Sequence, residues 1–158
     1  MKKTIGFFGG SFDPIHFGHI HLAVSILEEV ELDEILFCPA WQSPLKGDAP
    51  PKANAHHRLE MLKLAIAEIP RCSVTSIELD RQGPSYTVET LQALQEPGIF
   101  YRLLLSEESA SRLFEWKNAD EILHLAPPLS GSRGENHSIP PVLRQAIIET
   151  PRIDISST

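Results

Sequence analysis

The sequence predicts an α/β fold, a doubly wound parallel sheet in a single domain. Three observations predict it. Short apolar strand-like runs alternate with helix-period stretches along the whole chain, as they do where crossover helices join parallel strands. The length, 158 residues, suits one domain around one core. No internal repeat and no linker divides it.

The elements follow in order. Residues 4–8 read as a short buried strand ended by Gly9-Gly10. Residues 18–30 read as a helix whose stripe is Ile20, Ala23, Val24, Leu27 and Val30, widened by Leu22 and Ile26. Residues 34–38 form a second strand, stopped by Pro39. Residues 39–54 carry four prolines and read as a long loop, a class that tends to be functional. Asn54 caps a helix with Leu59, Leu62, Ile66 and Ile69 at helical spacing. Residues 72–79 read as a third strand and DRQGPS as a turn, with Ser85 or Thr87 capping a helix that holds Val88, Leu91 and Leu94. Residues 98–105 are a fourth strand, and Asn118 with Glu121 makes a capping box for a helix ending near Ala126. A loop over 127–141, a short helix over 142–149 and a strand over 152–155 complete the reading.

Composition narrows the class. Hydrophobic residues are 42% and charged residues 22%, as in soluble globular proteins. No apolar run of about 18 residues offers a membrane span, and the few apolar residues before Gly9 are too short for a secretory signal. The expected location is the cytoplasm. The net charge of −7, with acidic residues scattered and no clustered basic face, argues against a broad nucleic-acid footprint. Anion binding is then left to a local site. Cys38 and Cys72 lie in apolar runs and read as small buried hydrophobes of a reducing compartment.

That local site is GGSFDPIHFGH, residues 9–19. It sits where the first strand ends, and doubly wound sheets bind ligands at the carboxyl ends of their strands. Glycines there let backbone N–H groups approach a ligand. The following helix points its positive end at the same place, which suits a phosphate. His16 and His19, at i and i+3, can face one ligand and donate to charge developing on a phosphoryl group. Gly-Gly alone is often just a tight turn, and a lone histidine at a helix start is often a surface residue. A zinc site lacks a suitable third ligand nearby. The combination of strand, glycines, Asp-Pro and His-x-Gly-His outweighs these plainer readings.

The stretch resembles the signature of the His-x-Gly-His nucleotidyltransferase superfamily. GPSYTVETL at 83–91, EWKNADEIL at 115–123 and DISST at 154–158 narrow the resemblance to bacterial nicotinate-nucleotide adenylyltransferases. It implies a Rossmann-like sheet and adenylyl transfer from ATP to nicotinate mononucleotide. Mg²⁺ would be held mainly by ATP phosphates, with no protein metal site. His16, His19 and Lys46 would be catalytic, stabilising phosphate charge. Gly9, Gly10, Ser11, Phe12, Gly18, Ser106, Glu108, Ser156 and Thr158 would bind ATP. Ser85, Tyr86, Thr87, Trp116 and Arg133 would bind nicotinate mononucleotide, Trp116 by stacking on the pyridine ring.

Departures from the family pattern are specific. Ser106-Glu107-Glu108-Ser109 stands where Gly-x-Asp-Ser is usual, and Ser132-Arg133-Gly134 matches the Arg-Pro-Gly loop loosely. The sequence reaches Thr158 before the arginine that follows in the family, so the expectation is one domain over 1–158 with the C-terminal part of the pattern missing. Losing one such charged contact lowers a rate by about 10²-fold or more. Two other readings therefore stay open: a pantetheine-phosphate adenylyltransferase, and a nucleotide-binding module impaired in catalysis. Homo-oligomerisation is also open.

Overall fold

The computed structural model describes residues 2–45, 49–132 and 147–149, the last three and 131–132 by backbone alone. Among the described residues six strands form one sheet: β1 (Lys3–Gly10), β2 (Glu34–Pro39), β3 (Cys72–Val74), β4 (Ile99–Leu105), β5 (Pro128–Ser132) and β6 (Ile147–Glu149). Their order is β3-β2-β1-β4-β5-β6, and every pair is parallel. The chain builds leftwards from β1 and then returns to its other side at β4. The β1/β4 seam is therefore the topological switch point, where such sheets hold their ligands.

Strand alternation splits the core into two layers. Ile5, Phe7, Leu103 and Leu105 point to one face and pack under α4 (Thr87–Leu94), α5 (Glu107–Ser111) and α6 (Ala119–Leu125). Phe8, Ile35, Phe37 and Leu104 point to the other, under α1 (Phe17–Glu29) and α2 (Ala55–Ile66). Helices cover both faces, so the buried stretches of the central strands, Ile5–Phe8 and Leu103–Leu105, are apolar on both sides. Each of Phe7, Phe37, Ile35 and Leu103, at 1% exposure or less, contributes about 1.5–3 kcal/mol by burial.

Several expectations change on contact with the sheet. Along α1 the buried set is Leu22, Ala23, Ile26 and Leu27; Ile20, Val24 and Val30 are half-buried. The widened stripe fitted either face, and the sheet chose one. The strand expected over 72–79 stops at Val74, and Ile77–Arg81 is a short helix, α3. Thr75 Oγ1 accepts the Ile77 N–H, which breaks the ladder, and the helical turn carries Glu78 inward to Thr90. The loop expected over 127–141 contains β5 at its start, and of the helix expected over 142–149 residues 147–149 are the strand β6; residues 133–146 lie outside the described residues. Pro128 is the first residue of its strand, a position where a missing N–H is tolerated. The strand expected over 152–155 lies outside the described residues.

The helix caps also differ in detail. Asn54 caps α2 as expected, accepting the His57 N–H at 2.9 Å. Asn118 precedes α6 but sits in the left-handed region at φ 51°, with no side-chain cap. Its expected partner Glu121 instead accepts from Gln92 Nε2 on α4. Neither Ser85 nor Thr87 caps α4; Tyr86 precedes that helix without a capping bond. Cys38 is buried and Cys72 half-buried, both as free thiols.

Candidate functional site

The first half of the site grows out of β1. Its pairing with β4 ends at Phe7–Leu103, while pairing with β2 continues through Gly9–Cys38 to Gly10–Pro39. Gly9 and Gly10 thus extend beyond the seam as strand. The reversal itself is made by Phe12, at φ 47°. A left-handed conformation costs a residue with a Cβ roughly 1–2 kcal/mol. Burial offsets that: Phe12 is 3% exposed, with its ring edge-on to Phe8 at 5.4 Å and to His19 at 5.0 Å.

The turn delivers His16 to the N-cap of α1. His16 Nδ1 accepts the Gly18 N–H at 3.0 Å, and the His16 N–H donates to His19 Nδ1 at 3.0 Å. The two imidazoles form a reciprocal capping box, each doing the work usually given to Ser and Glu. The rings stack at 3.9 Å with 18° between planes. The sequence pointed to Gly9 and Gly10 backbone N–H groups together with the positive end of α1 as the anion cradle; at that helix end the Gly18 and His16 N–H groups are already bonded inside the motif.

Charge state follows from this packing. Burial pushes the His19 pKa down to about 4, with the neighbouring His16 adding to the effect. Burial also lowers His16, against its own backbone hydrogen bond. Both rings are neutral near pH 7, and a neutral imidazole carries one proton. Each Nδ1 is occupied as an acceptor, so the hydrogen-bond pattern assigns both protons to Nε2. The Nε2 of His16 is buried without a protein partner. The motif thus holds a pair of Nε2–H donors, that of His16 buried and unpaired.

Asp13, in the same motif, is spent on the neighbouring loop. Its carboxylate accepts the Lys52 N–H at 2.6 Å and the Ala53 N–H at 3.0 Å, and these bonds hold its pKa below the usual carboxylate range. Ser11 is half-buried, and its carbonyl accepts from Arg58 at 2.8 Å. Lys46, from the loop after β2, lies outside the described residues. Among the described residues no group of three or more His, Cys, Asp and Glu is placed to hold a metal ion.

The second half gathers at the start of α4, also at the carboxyl edge of the sheet. Ser85 is buried; its Oγ accepts the Trp41 N–H at 2.9 Å and its N–H donates to Gln42 O at 2.9 Å. Its hydroxyl is thus engaged with the β2 loop. Tyr86 and Thr87 are half-buried at a helix start that no side chain caps. This is the reverse of α1, whose start is closed by imidazoles. Tyr86 and Trp116 pack on the same core cluster. Lys117 lies 4.5 Å from the Tyr86 ring centre and 3.0 Å from Glu89 Oε2. Trp116 is half-buried, and its Nε1 is buried without a partner. Beside it opens a hollow of about 450 Å³, lined by Phe114, Trp116, Asn118, Ala119, Asp120 and Glu121. Its lining includes neither His16 nor His19.

After β4, Ser106 caps α5 by accepting the Ser109 N–H at 3.1 Å, and Glu108 is exposed on that helix. Arg133, Ser156 and Thr158 lie outside the described residues. Two residues of the site region escaped the sequence reading. Arg58 shares a helix face with Leu62 and Ile66, at i, i+4 and i+8, and an arginine in an apolar stripe is the signal that could have found it. Glu78, 3% exposed, accepts from Thr90 Oγ1 at 2.7 Å, and burial raises its pKa. It had no such signal, because residues 72–79 read as strand.

Comparison with known proteins agrees with this architecture. The Cytidylyltransferase-like family profile matches residues 7–158. A Roseiflexus sp. (strain RS-1) protein named "Probable nicotinate-nucleotide adenylyltransferase" is 43% identical over 171 residues, spanning 99% of this chain and 83% of that protein. An Aquifex aeolicus (strain VF5) protein of the same name is 45% identical over 121 residues, spanning 75% of this chain and 71% of that protein. The fold matches that of Plasmodium falciparum nicotinic acid mononucleotide adenylyltransferase complexed with NaAD, at TM-score 0.73 and 18% identity, over 96% of this chain and 77% of that one. The chain belongs to the Cytidylyltransferase-like family, among the nicotinate-nucleotide adenylyltransferases.

Proposed function

We propose that this protein transfers the adenylyl group of ATP to nicotinate mononucleotide, giving deamido-NAD and pyrophosphate, as a step of NAD biosynthesis. The observation that carries the reading is the reciprocal histidine cap. It leaves two neutral imidazoles with Nε2–H donors at the end of β1, in a family whose relatives carry that activity in their names. Donor pairs suit anionic oxygens and repel none of them.

The chemistry asks little proton transfer of the protein. The 5′-phosphate of nicotinate mononucleotide attacks the α-phosphorus of ATP. The bond to the β-phosphate bridging oxygen breaks, and pyrophosphate leaves with the electron pair. The nucleophile is already an anion, so catalysis rests on positioning and on stabilising charge. His16 and His19 donate from Nε2 to polyphosphate oxygens as charge shifts to the leaving group. Lys46 adds a point charge to the phosphates. Mg²⁺ arrives on ATP as part of the substrate. The imidazole pair, with both Nδ1 atoms occupied and both Nε2 atoms protonated, fits an anion rather than a cation, and it supplies no metal ligand.

On the other side, the uncapped start of α4 at Tyr86 and Thr87 offers its N–H groups to the nicotinate carboxylate. Unpaired helix-start donors prefer an acid to a neutral amide. Ser85 contributes by holding that start in place, and Trp116 stacks on the pyridine ring. For ATP, Gly9, Gly10, Ser11, Phe12 and Gly18 form the triphosphate side of the site, and Ser106, Glu108, Ser156 and Thr158 serve the nucleoside. Arg133 serves nicotinate mononucleotide. Such a protein works in the cytoplasm.

An acceptor panel tests the reading. ATP is incubated with nicotinate mononucleotide, nicotinamide mononucleotide or phosphopantetheine, and pyrophosphate and dinucleotide are measured. Turnover highest with nicotinate mononucleotide is expected. Turnover of phosphopantetheine alone would replace the acceptor, and ATP binding without pyrophosphate release from any acceptor would leave a binding module.

A further inference from the structure

Arg58 occupies an interior position on α2, between the sheet and the loops at its carboxyl edge. It is 2% exposed, and its guanidinium reaches four backbone carbonyls on three segments. Nη1 donates to Ser11 O at 2.8 Å and to Ala40 O at 2.6 Å; Nε donates to Ala53 O at 3.2 Å and Nη2 to Trp41 O at 3.4 Å. The contact with Ser11 holds the turn after β1. Those with Ala40 and Trp41 hold the end of β2. The one with Ala53 holds the lead into α2, where Asp13 accepts the Lys52 and Ala53 N–H groups.

The connection runs further. Trp41, held by its carbonyl, donates its N–H to Ser85 Oγ at 2.9 Å, and Gln42 O accepts the Ser85 N–H at 2.9 Å. A single buried cation is thereby linked to the loop that carries the histidines and, one residue on, to the loop that starts α4. Burying a charge is expensive unless every donor finds an acceptor. An aliphatic side chain in line with Leu62 and Ile66 would fill the space without that cost. The fixed fork of an arginine does what no aliphatic can: it sets several carbonyls at defined distances at once.

We infer that Arg58 is a positioning residue for adenylyl transfer, holding the polyphosphate loop at Ser11 and the nicotinate loop at Ser85 in one register. The inference rests on the function proposed above. The two substrates approach from different loops, and their reacting atoms must meet near 3 Å. A misplacement of about 1 Å between such groups lowers a rate by on the order of 10²-fold.

The test uses the full chain and the variant R58K. Lysine keeps the charge but not the fork. Three quantities are measured: thermal unfolding, kcat and KM for both substrates, and hydrogen exchange of peptides covering 40–45, 83–86 and, as an internal control, β4. Cooperative unfolding, a kcat at least tenfold lower, and faster exchange at 40–45 and 83–86 with β4 unchanged are expected. A kcat within twofold of the parent overturns the inference, and so does a lost kcat with exchange at 83–86 unchanged. If R58K does not unfold cooperatively, S85A decides, since it removes the hydroxyl that accepts the Trp41 N–H and also hydrogen-bonds Glu78, while exchange at 40–45 reads the Trp41 link alone. Faster exchange at 40–45 with a several-fold lower kcat supports the inference, and no change in either sinks it. A parent protein that releases no pyrophosphate would sink the functional reading instead, while the exchange measurements would still judge Arg58.

Discussion

His16 and His19 stack face to face at 3.9 Å, each with its Nδ1 filled by a backbone N–H of the same short motif. The stacking excludes simultaneous protonation, because two cations at that distance in a half-buried site repel. The pair is therefore neutral at pH 7, and the donor role proposed for it can be tested one ring at a time.

His19→Asn separates the cap from the donor. The Asn carbonyl oxygen can take the place of Nδ1 and keep the His16 N–H satisfied, while the Nε2–H is lost. Unfolding should stay within a few degrees of the parent, and kcat should fall by on the order of 10²-fold, the usual effect of removing one preorganised donor. Near-normal turnover would remove His19 from the reacting centre.

Acid should destabilise the parent more than this variant. The unfolded chain takes a proton at His19 near 6.5, and the folded chain only near 4. Above the upper value the group has no effect on the pH slope. Between the two values the unfolded state holds more protons, so stability falls as pH falls, at up to about 1.4 kcal/mol per pH unit from this group. Chemical denaturation of parent and His19→Asn at several pH values from 7 to 4 should show a shallower slope for the variant. Parallel curves would contradict the buried, neutral ring.

Trp116→Ala should discriminate between the substrates. If the indole stacks on the pyridine, nicotinate mononucleotide weakens by about 1–3 kcal/mol, the range for base–aromatic stacking, and ATP changes far less. Calorimetry with each ligand alone is the measurement. Equal losses would make Trp116 a core residue, consistent only with its contacts to the α4–α6 cluster.

Gly6→Ala should harm the fold with no direct contact to the site. A Cβ there would lie 2.6 Å from Leu104 Cδ1, 3.0 Å from Leu32 Cδ1 and 3.3 Å from Ile35 Cγ1. Three buried side chains would have to shift at once, an overpacking that destabilises by about 1–3 kcal/mol. The denaturation midpoint should drop while KM for both substrates stays near the parent value. An unchanged midpoint would mean that the β1–β4 seam has slack.

Local signals carried the sequence a long way. Alternating periods dictated the doubly wound sheet, and GGSFDPIHFGH marked a candidate site at the end of β1, because glycines, imidazoles and a helix start are all short-range features. The α4 and Trp116 stretches were legible for the same reason. Tertiary structure decided what short-range pattern leaves degenerate. It chose between two faces of α1 and ended the third strand at Val74 so that Glu78 could reach Thr90. It also made strand of Pro128–Ser132, in a stretch that reads as loop, by pairing it with β4. Above all it closed α1 with imidazoles, left α4 open, and brought Arg58 against Ser11 from 47 residues away. Hydrogen bonds of that kind join groups whose separation along the chain carries no periodic trace, so only the folded backbone can specify them.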